Sequence, residues 1–269
     1  MNGIKSLAKP KDRYKVLVFS SLFFFLFIFF WQIGTNPSQE GKSEGLPRPL
    51  SVVGKAWEMA SNPFYDKGMN DKGIGLQLLY SLWRLAVGYC TASLIAIFLG
   101  VMLGLYPVTY RALNPYIQIL RPISPLAWMP LFLYTIKSSS WAAAMVIFMS
   151  SLWPTLANTA FGVSNIKRDY LNVSAILQLS WLRRVFKVVL PAAAPAIVAG
   201  LRISVSSAWI AIVAAEMLIG GTGVGYFVWN EWNNLQLTSV IFAILMIGLV
   251  GVLLDACFGR LAKMVTYTE

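Results

Sequence analysis

The sequence contains no histidine and only 11 acidic residues in 269, and both scarcities limit the catalytic and metal-binding sites that the protein can form. Without histidine, imidazole acid–base catalysis, zinc sites of the His-Glu-x-x-His kind and most proton relays are excluded. The two cysteines, Cys90 and Cys257, lie far apart in apolar segments, so we expect small core residues rather than a disulfide. The sequence therefore predicts no catalytic residues and no metal site.

Charge is scarce as well: charged residues make up 12% of the chain, hydrophobic residues 57%, and the mean hydropathy is +0.64. A soluble domain needs more polar surface than this, so the composition predicts an integral membrane protein. The net charge of +11 does not indicate nucleic-acid binding. The basic residues are grouped between apolar segments, as in the cytoplasmic loops of membrane proteins. A nucleic-acid-binding surface would instead have them spread with aromatic residues along one face.

Six apolar segments predict an all-α, polytopic membrane protein with six transmembrane helices and both termini in the cytoplasm. We expect a cytoplasmic tail at residues 1–15, a first span at 16–34, a periplasmic loop with a short helix at 35–75, a five-span core at 76–263 and a second tail at 264–269. The five core spans are predicted at 76–105, 116–136, 141–163, 192–219 and 237–258. A short cytoplasmic turn is expected at 106–115, and a flexible glycine-rich turn with a Tyr/Trp-rich interfacial segment at 220–236.

The third predicted span contains Arg121 and three closely spaced prolines, Pro122, Pro125 and Pro130. Prolines so close together interrupt the helical hydrogen bonds, and the freed carbonyls must face protein or a wet cavity. Since broken helices recur at transport pathways, we take Arg121, Pro122, Pro125 and Trp128 as candidate pathway residues. A kinked packing helix is the alternative that the same residues allow.

The fifth predicted span contains Arg202 and Glu216, and Asp255 lies near the end of the sixth. Charges inside a membrane are costly, so each is expected to have a partner or to touch water. Arg202 and Arg121 are therefore candidates for attracting an anion, and an architectural role is the alternative. Glu216 and Trp209 of the fifth span complete the candidate pathway residues.

A polar island from Ile166 to Pro195 separates the fourth span from the fifth and carries five basic residues against one acid. This excess of positive charge predicts a position on the cytoplasmic side. Helical spacing predicts two short amphipathic helices joined by a turn, with Ser180 as N-cap of the second and Pro191 at its end. Such helices suit docking into a groove of another protein, and an ordinary loop that fixes the topology is the alternative.

The order of residues in this island resembles the cytoplasmic coupling loop of ABC importer permeases. The pattern of that loop runs roughly Glu-Ala-Ala, three residues, Gly, and then a basic and apolar stretch that ends in Leu-Pro. Asn172 stands in place of the Glu, Gln178 stands in place of the Gly, and Leu190-Pro191 matches. The resemblance places the coupling helices at about 166–190 of a permease core. It implies that the ATPase-coupling residues are Tyr170, Asn172, Val173, Ser174, Ala175, Ile176, Gln178, Leu179, Ser180, Leu190 and Pro191.

From about residue 46 to residue 263 the chain resembles the binding-protein-dependent ABC importer permeases, and most closely the nitrate, sulfonate and taurine group. The turn Gln178-Leu179-Ser180 is similar to that of the nitrate branch. The resemblance implies a type I ABC importer permease fold and a homodimer in the lipid of the inner membrane. It also implies two cytoplasmic ATPase subunits that bind ATP and magnesium, an external solute-binding protein and no cofactor in this chain.

For the substrate the resemblance implies nitrate, with nitrite as a close mimic, and bicarbonate, cyanate and sulfonates such as taurine are the alternatives. Two other classes of protein remain as alternatives. A membrane-embedded enzyme would have only Glu216 and Asp255 as clear intramembrane groups. A passive channel or carrier would need no ATPase and no docking helices.

Overall fold

The computed structural model describes residues 10–35, 45–68 and 71–265, and these ranges are helical apart from short connections. The parts of the predicted tails and outer loop that fall at residues 1–9, 36–44, 69–70 and 266–269 lie outside the described residues. Within the described ranges the only β pairing is a single bridge between Asp66 and Lys72. The all-α class predicted from the sequence is confirmed.

The helices are α1 (Pro10–Gly34), α2 (Pro49–Ser61), α3 (Ile74–Leu105), α4 (Pro107–Leu120), α5 (Met129–Ile136), α6 (Ser139–Ser164), α7 (Arg168–Ile176), α8 (Trp181–Arg184), α9 (Leu190–Ile219), α10 (Val224–Asn233) and α11 (Leu237–Val265). Five helical segments of the described chain are long and apolar enough to cross a membrane, in α1, α3, α6, α8 through α9, and α11. The number becomes six if the bent pair α4 and α5 forms one span. A polytopic membrane protein is therefore confirmed.

The described chain divides into two compact units, and the first contains α1, α2 and Glu231–Phe242. The apolar side chains of α1 are exposed along most of its length, as expected for a helix that faces lipid. Trp31 of α1 donates from Nε1 to the carbonyl oxygen of Pro47 at 3.1 Å, just before α2 begins. α2 confirms the short helix predicted in the outer loop, and it buries Val52.

The second unit contains residues 62–230 and the chain from Ala243 onward, and its core lies where α3, α6 and α9 pack together. Glycines allow α3 to approach α6 closely. A Cβ atom at Gly88 would lie 2.5 Å from the carbonyl oxygen of Ala144, and one at Gly100 would lie 2.6 Å from Thr159 Cβ. Gly104 also faces α6, so the Gly-x-x-x-Gly pair of α3 brings the two helices into close contact.

The third predicted span is broken, as its prolines predict, but its limits differ from the prediction. α4 and α5 meet at 83° across a break that contains the 3₁₀ turn Pro125–Trp128. The cytoplasmic turn expected at 106–115 is wrong, because α4 already begins at Pro107. A proline at the first helical position lacks only an N–H that would have no partner there, so this residue type starts helices readily.

The predicted end of the second cytoplasmic helix at Pro191 is also wrong. α8 continues through a π-helical segment, Val185–Val189, into α9, and Pro191 lies in the first turn of α9. A proline ring clashes with the carbonyl of the fourth preceding residue in an ordinary α-helix. The wider π turn relieves this clash, so the helix continues. Ser180 occupies the cap position of α8, but its side chain makes no capping hydrogen bond.

The segment at 220–236, predicted as a flexible turn with a Tyr/Trp-rich interfacial segment, contains the helix α10. Helical spacing brings Val224, Phe227 and Val228 to one side of α10, where all three are buried. Burial of this apolar face stabilises the helix. The sequence prediction emphasised the tyrosine and tryptophans of the segment and overlooked this periodicity.

Cys90 and Cys257 are free thiols, which confirms that they form no disulfide with each other. The expectation that both are core residues is wrong, because both are exposed, on α3 and α11. A small apolar side chain with a weak thiol donor is compatible with a lipid-facing position as well as with a core. Composition alone therefore does not distinguish the two places.

Candidate functional site

A buried ion pair joins α3 to α9 within the second unit. Arg84 donates from Nη1 to Oε1 of Glu216 at 2.8 Å, and the Glu216 side chain is 1% exposed. The other carboxylate oxygen accepts from the hydroxyl of Ser81 at 2.7 Å and from the N–H of Gly225 at 3.1 Å. Both oxygens are therefore satisfied, as a charge in a span requires.

The same cluster fastens the glycine-rich turn that follows α9. Arg84 donates to the carbonyl oxygen and to the hydroxyl of Thr222, at 2.6 and 2.7 Å. The N–H of Gly223 donates to Oε1 of Gln77 at 2.6 Å. Gly223 has a φ of 119°, and a Cβ atom there would overlap the carboxylate of Glu216. The turn that was expected to be flexible is thus held to α3, and only glycine fits at position 223.

Sequence reasoning missed Gln77 and Ser81 and did not identify Arg84 as the partner of Glu216. The signal was present in the spacing. Positions 77, 81 and 84 follow the i, i+4, i+7 repeat, which places three polar side chains on one face of a helix. A polar stripe at the start of an otherwise apolar span indicates a polar partner inside the protein.

Arg202 forms a second ion pair, with Asp255 of α11. Its Nε and Nη2 atoms donate to the two carboxylate oxygens, each at 2.7 Å. The two side chains are 46% and 44% exposed. Trp209, farther along α9, is buried and donates from Nε1 to the carbonyl oxygen of Ile247 at 3.0 Å. Both contacts tie α9 to α11, and an anion that reached Arg202 would compete with Asp255.

Arg121 differs from these two arginines because it has no ion-pair partner among the described residues. It lies at the C-terminal end of α4 and is exposed. With Asn114 and Gln118 of the same helix it lines a groove of about 530 Å³ that extends along α6 to Ser164. No acidic residue lines this groove, so its polar lining is one cation with neutral hydrogen-bonding groups.

The other pathway candidates of the third span lie in or beside the break. Pro122 and Pro125 frame the segment between α4 and the 3₁₀ turn. The ring of Trp128 stacks on that of Phe132, with centroids 6.4 Å apart. Its indole N–H is buried and has no hydrogen-bond partner in the described part of the chain. The structure brings these residues together with Arg121, whereas Glu216 and Arg202 lie in separate ion pairs.

The first of the two predicted short helices is present as α7, and its apolar face is uncovered. The exposed apolar residues are Tyr170, Val173, Ile176 and Leu177. Asn172 and Ala175 are exposed as well, whereas Ser174 is buried. Ile176, at 80% exposure, protrudes most among these four. This small apolar surface on a short helix resembles one half of an interface between proteins.

The turn after α7 is formed by residues of the candidate coupling set. Gln178 has a φ of 47°, a left-handed conformation that reverses the chain. The N–H of Leu179 donates to the carbonyl oxygen of Ser174 at 3.2 Å, which closes the turn. α8, which follows Ser180, leads through the π segment to Leu190 and Pro191 at the start of α9. The surface of α7 is thereby connected through α8 and the π segment to a spanning helix.

Several apolar spans, one of them broken, with a short uncovered helix between two of them, define a polytopic membrane protein. Residues 92–267 match the family described as the binding-protein-dependent transport system inner membrane component. The chain belongs to this family and is a multi-pass permease subunit of the inner membrane.

Curated relatives cover most of the chain. A nitrate import permease protein of Synechocystis sp. is 41% identical over 239 residues, which are 89% of this chain and 86% of that protein. The protein of the same description from Leptolyngbya laminosa is 42% identical and covers 93% of this chain and 88% of its own. A bicarbonate transport system permease protein of Synechocystis sp. is 43% identical and covers 76% of this chain and 73% of its own.

The fold has a counterpart among solved structures. An inward-facing structure of the MetNI methionine ABC transporter is similar with a TM-score of 0.59 at 15% identity. The similarity covers 72% of this chain and 98% of the other. It confirms the predicted type I ABC importer permease fold.

Proposed function

We propose that this chain is the permease subunit of an ATP-driven importer of a small inorganic anion, with nitrate first and nitrite as its close mimic. The observation that supports nitrate as the substrate is the identity of 41–42% with nitrate import permeases over about nine tenths of the chain. The proposed complex contains two copies of the permease, two cytoplasmic ATPases and an external solute-binding protein. ATP and magnesium are bound by the ATPases, and this chain performs no covalent chemistry.

The coupling step is assigned to α7 and the turn after it. The uncovered residues Tyr170, Val173, Ile176 and Leu177 suit a groove on an ATPase subunit. When the ATPases close on ATP, the movement of α7 passes through α8 and the π segment into α9. Because α9 packs on α3 and α6, a shift of α9 alters the core that borders the pathway. Transport then follows alternating access, and hydrolysis resets the cycle.

The charge that attracts the anion is assigned to Arg121. Arg84 and Arg202 each have a carboxylate within 2.8 Å, so their charges are already compensated. Arg121 faces a groove without acidic residues. An unpaired guanidinium offers a planar oxyanion up to five N–H donors in a fixed plane. Arg121 is therefore the pathway cation, and the Arg202 pair serves the architecture.

The test is transport by the purified complex in proteoliposomes, with the solute-binding protein and labelled nitrate on the outer side. Import that requires ATP, and that falls at least tenfold in Arg121→Gln, is the expected result. Arg202→Gln is the matched control and is expected to retain more of the import. Import without ATP would replace the proposal with a passive channel or carrier.

Bicarbonate is the second candidate because a bicarbonate transport permease is 43% identical over 204 residues. Nitrate and bicarbonate are both small planar oxyanions, so the same donors suit both. Competition separates them: an excess of unlabelled bicarbonate leaves labelled nitrate import unchanged if nitrate is the cargo. Excess taurine tests the sulfonate alternative in the same way.

A further inference from the structure

Three serines from three parts of the second unit line one recess beside the helix break. Ser124 immediately precedes the 3₁₀ turn, Ser150 lies near the middle of α6, and Ser207 lies near the middle of α9. The recess has a volume of about 310 Å³. Because α6 and α9 are spanning helices, their middle parts place the hydroxyls of Ser150 and Ser207 far from either membrane surface.

Two of the three hydroxyls in this recess, those of Ser124 and Ser150, are available to donate to a ligand. Those of Ser124 and Ser150 have no hydrogen-bond partner within the described ranges, and that of Ser207 donates to the carbonyl oxygen of Ile203 at 3.2 Å. By contrast, Ser151, the neighbour of Ser150, is fully buried and donates to the carbonyl oxygen of Ile147 at 2.8 Å. The Ser150 hydroxyl lies in the middle of a spanning helix without a partner among the described residues, and such a group is costly unless a polar ligand or water reaches it.

The chemistry of the recess fits a small oxyanion in transit. Its other walls are apolar or backbone, and no acidic or basic side chain lines it. The hydroxyls of Ser124 and Ser150 can donate to an oxyanion without the strong hold of a full positive charge, and that of Ser207 can turn to it from its 3.2 Å bond to Ile203. A site on a pathway must bind well enough to be entered and weakly enough to be left.

The break also connects the recess to the groove of Arg121. Ser124 follows Arg121 by three residues, so their Cα atoms are at most ~11 Å apart. Arg121 lines the groove of about 530 Å³ that reaches Ser164 at the end of α6. An anion that leaves the serines therefore has a cation within a short distance and a polar groove beyond it.

We propose that Ser124, Ser150 and Ser207 form a binding step on the pathway, an oxyanion site without charged side chains. The imported anion occupies it before it reaches the groove of Arg121. This inference rests on the proposed function and deepens it by naming the residues that hold the cargo. The three serines were not among the candidates from the sequence, since a serine in an apolar span has many ordinary roles.

The test uses the whole complex in proteoliposomes and measures nitrate imported per ATP hydrolysed. In the double variant Ser150→Ala/Ser207→Ala this ratio is expected to fall about tenfold, since hydrogen bonds to charged groups are lost. The matched controls are the adjacent serines, Ser151→Ala and Ser206→Ala, which do not line the recess and are expected to retain the ratio. Ser150→Thr keeps a hydroxyl and is expected to retain most of it too.

The outcomes separate this inference from the function on which it rests. Wild-type import with an unchanged ratio in the double variant would overturn the binding step alone. Absence of import of any small oxyanion by the wild-type complex would overturn the proposed function and the binding step with it. Equal falls in import and ATP hydrolysis without rescue by Ser150→Thr indicate structural damage and contradict a binding role. If the double variant does not assemble, the ratio of nitrate imported to ATP hydrolysed is measured in Ser124→Ala, at an exposed position, and is interpreted in the same way.

Discussion

The two ion pairs that α9 forms differ in how deeply their charges are buried. Arg84 and Glu216 are buried together, and each has further hydrogen-bond partners around the pair. Removing one member of such a pair leaves the other charge buried and uncompensated, which costs about 3–5 kcal/mol. Arg202 and Asp255 are close to half exposed, so loss of their pairing costs less. Burial, and not the distance between the charges, distinguishes the two pairs.

The substitution Glu216→Gln is therefore expected to destabilise the protein strongly. A neutral amide at this position would keep the shape of the side chain, but it would leave the Arg84 charge uncompensated and remove one carboxylate acceptor. Thermal unfolding in detergent, followed by size-exclusion chromatography after heating, measures the change. Asp255→Asn is the matched control and is expected to lower the midpoint much less. Equal shifts in the two variants would refute the distinction drawn from burial.

The outer loop contains a pair that responds to pH. The hydrogen bond from Lys72 to Asp66 lowers the pKa of the Asp66 carboxyl, and the same bond raises the pKa of the Lys72 ammonium. A lowered carboxyl pKa stabilises the folded loop above the ordinary Asp range, and this contribution is lost as pH falls through the lowered value. A raised ammonium pKa contributes stability to the folded loop below the ordinary Lys range, and this contribution is lost as pH rises through the raised value. The pairing is thus complete between about pH 4 and about pH 10.

Hydrogen exchange tests this expectation on the acid side. The amide N–H of Lys67 donates to the carbonyl oxygen of Asp71 at 2.9 Å, and that of Gly73 donates to Tyr65 at 2.8 Å. Both amides are expected to lose protection as pH falls below the ordinary Asp range. Asp66→Asn should lower their protection at pH 7 and remove the pH dependence. Protection that persists in Asp66→Asn at pH 7 would show that the loop does not depend on this pair.

At the scale of elements, α7 carries the prediction that most directly concerns coupling. Ile176→Asp/Leu179→Asp is expected to abolish stimulation of ATP hydrolysis and import, because two charges would replace apolar groups that the proposed function places against the ATPase. The variant is expected to insert and dimerise normally, since Ile176 is 80% exposed in the isolated subunit. Ile176→Val is the control and should transport as the wild type does. Normal transport by the aspartate variant would exclude α7 as the coupling element.

Elements with a strong periodic signal were predictable from the sequence, and those shaped by neighbours were not. The spans of α1, α3, α6, α9 and α11 follow from long, predominantly apolar runs. α7 follows from apolar residues at helical spacing. The broken third span follows from its prolines, but its start does not, because Pro107 is compatible with either a turn or a helix start. Continuation of the helix past Pro191 depends on a π turn, for which the sequence carries no simple signal.

The candidate site divides in the same way. The sequence indicated that Arg121, Arg202 and Glu216 are unusual, because charge in a span is rare. It could not say which charges compensate each other, since Arg84 and Glu216 are 132 residues apart. Pairing depends on how α3 and α9 pack. The serines of the recess were equally hidden, because their shared position exists only in the folded chain.

At the scale of the whole molecule, the bent pair α4 and α5 decides the topology of everything that follows it. If the pair crosses the membrane, α6 returns to the cytoplasm and the basic residues around α7 lie inside. If the pair only dips in and returns, α7 lies outside and the segment 220–236 lies inside. That segment contains no lysine or arginine, whereas the island at 166–195 contains five. The positive-inside rule therefore favours a crossing pair and six spans.

The accessibility of introduced cysteines measures directly whether the pair α4 and α5 crosses the membrane. With Cys90 and Cys257 replaced by alanine, single cysteines are introduced at the exposed positions Ser139, at the start of α6, and Ser180, after α7. A membrane-impermeant maleimide is expected to label Ser139→Cys in intact spheroplasts and Ser180→Cys only after permeabilisation. The reverse pattern would mean that α4 and α5 form a re-entrant loop, and α7 could not then meet a cytoplasmic ATPase. Ser61→Cys, in α2 of the outer loop, is the control that should be labelled from outside in both cases.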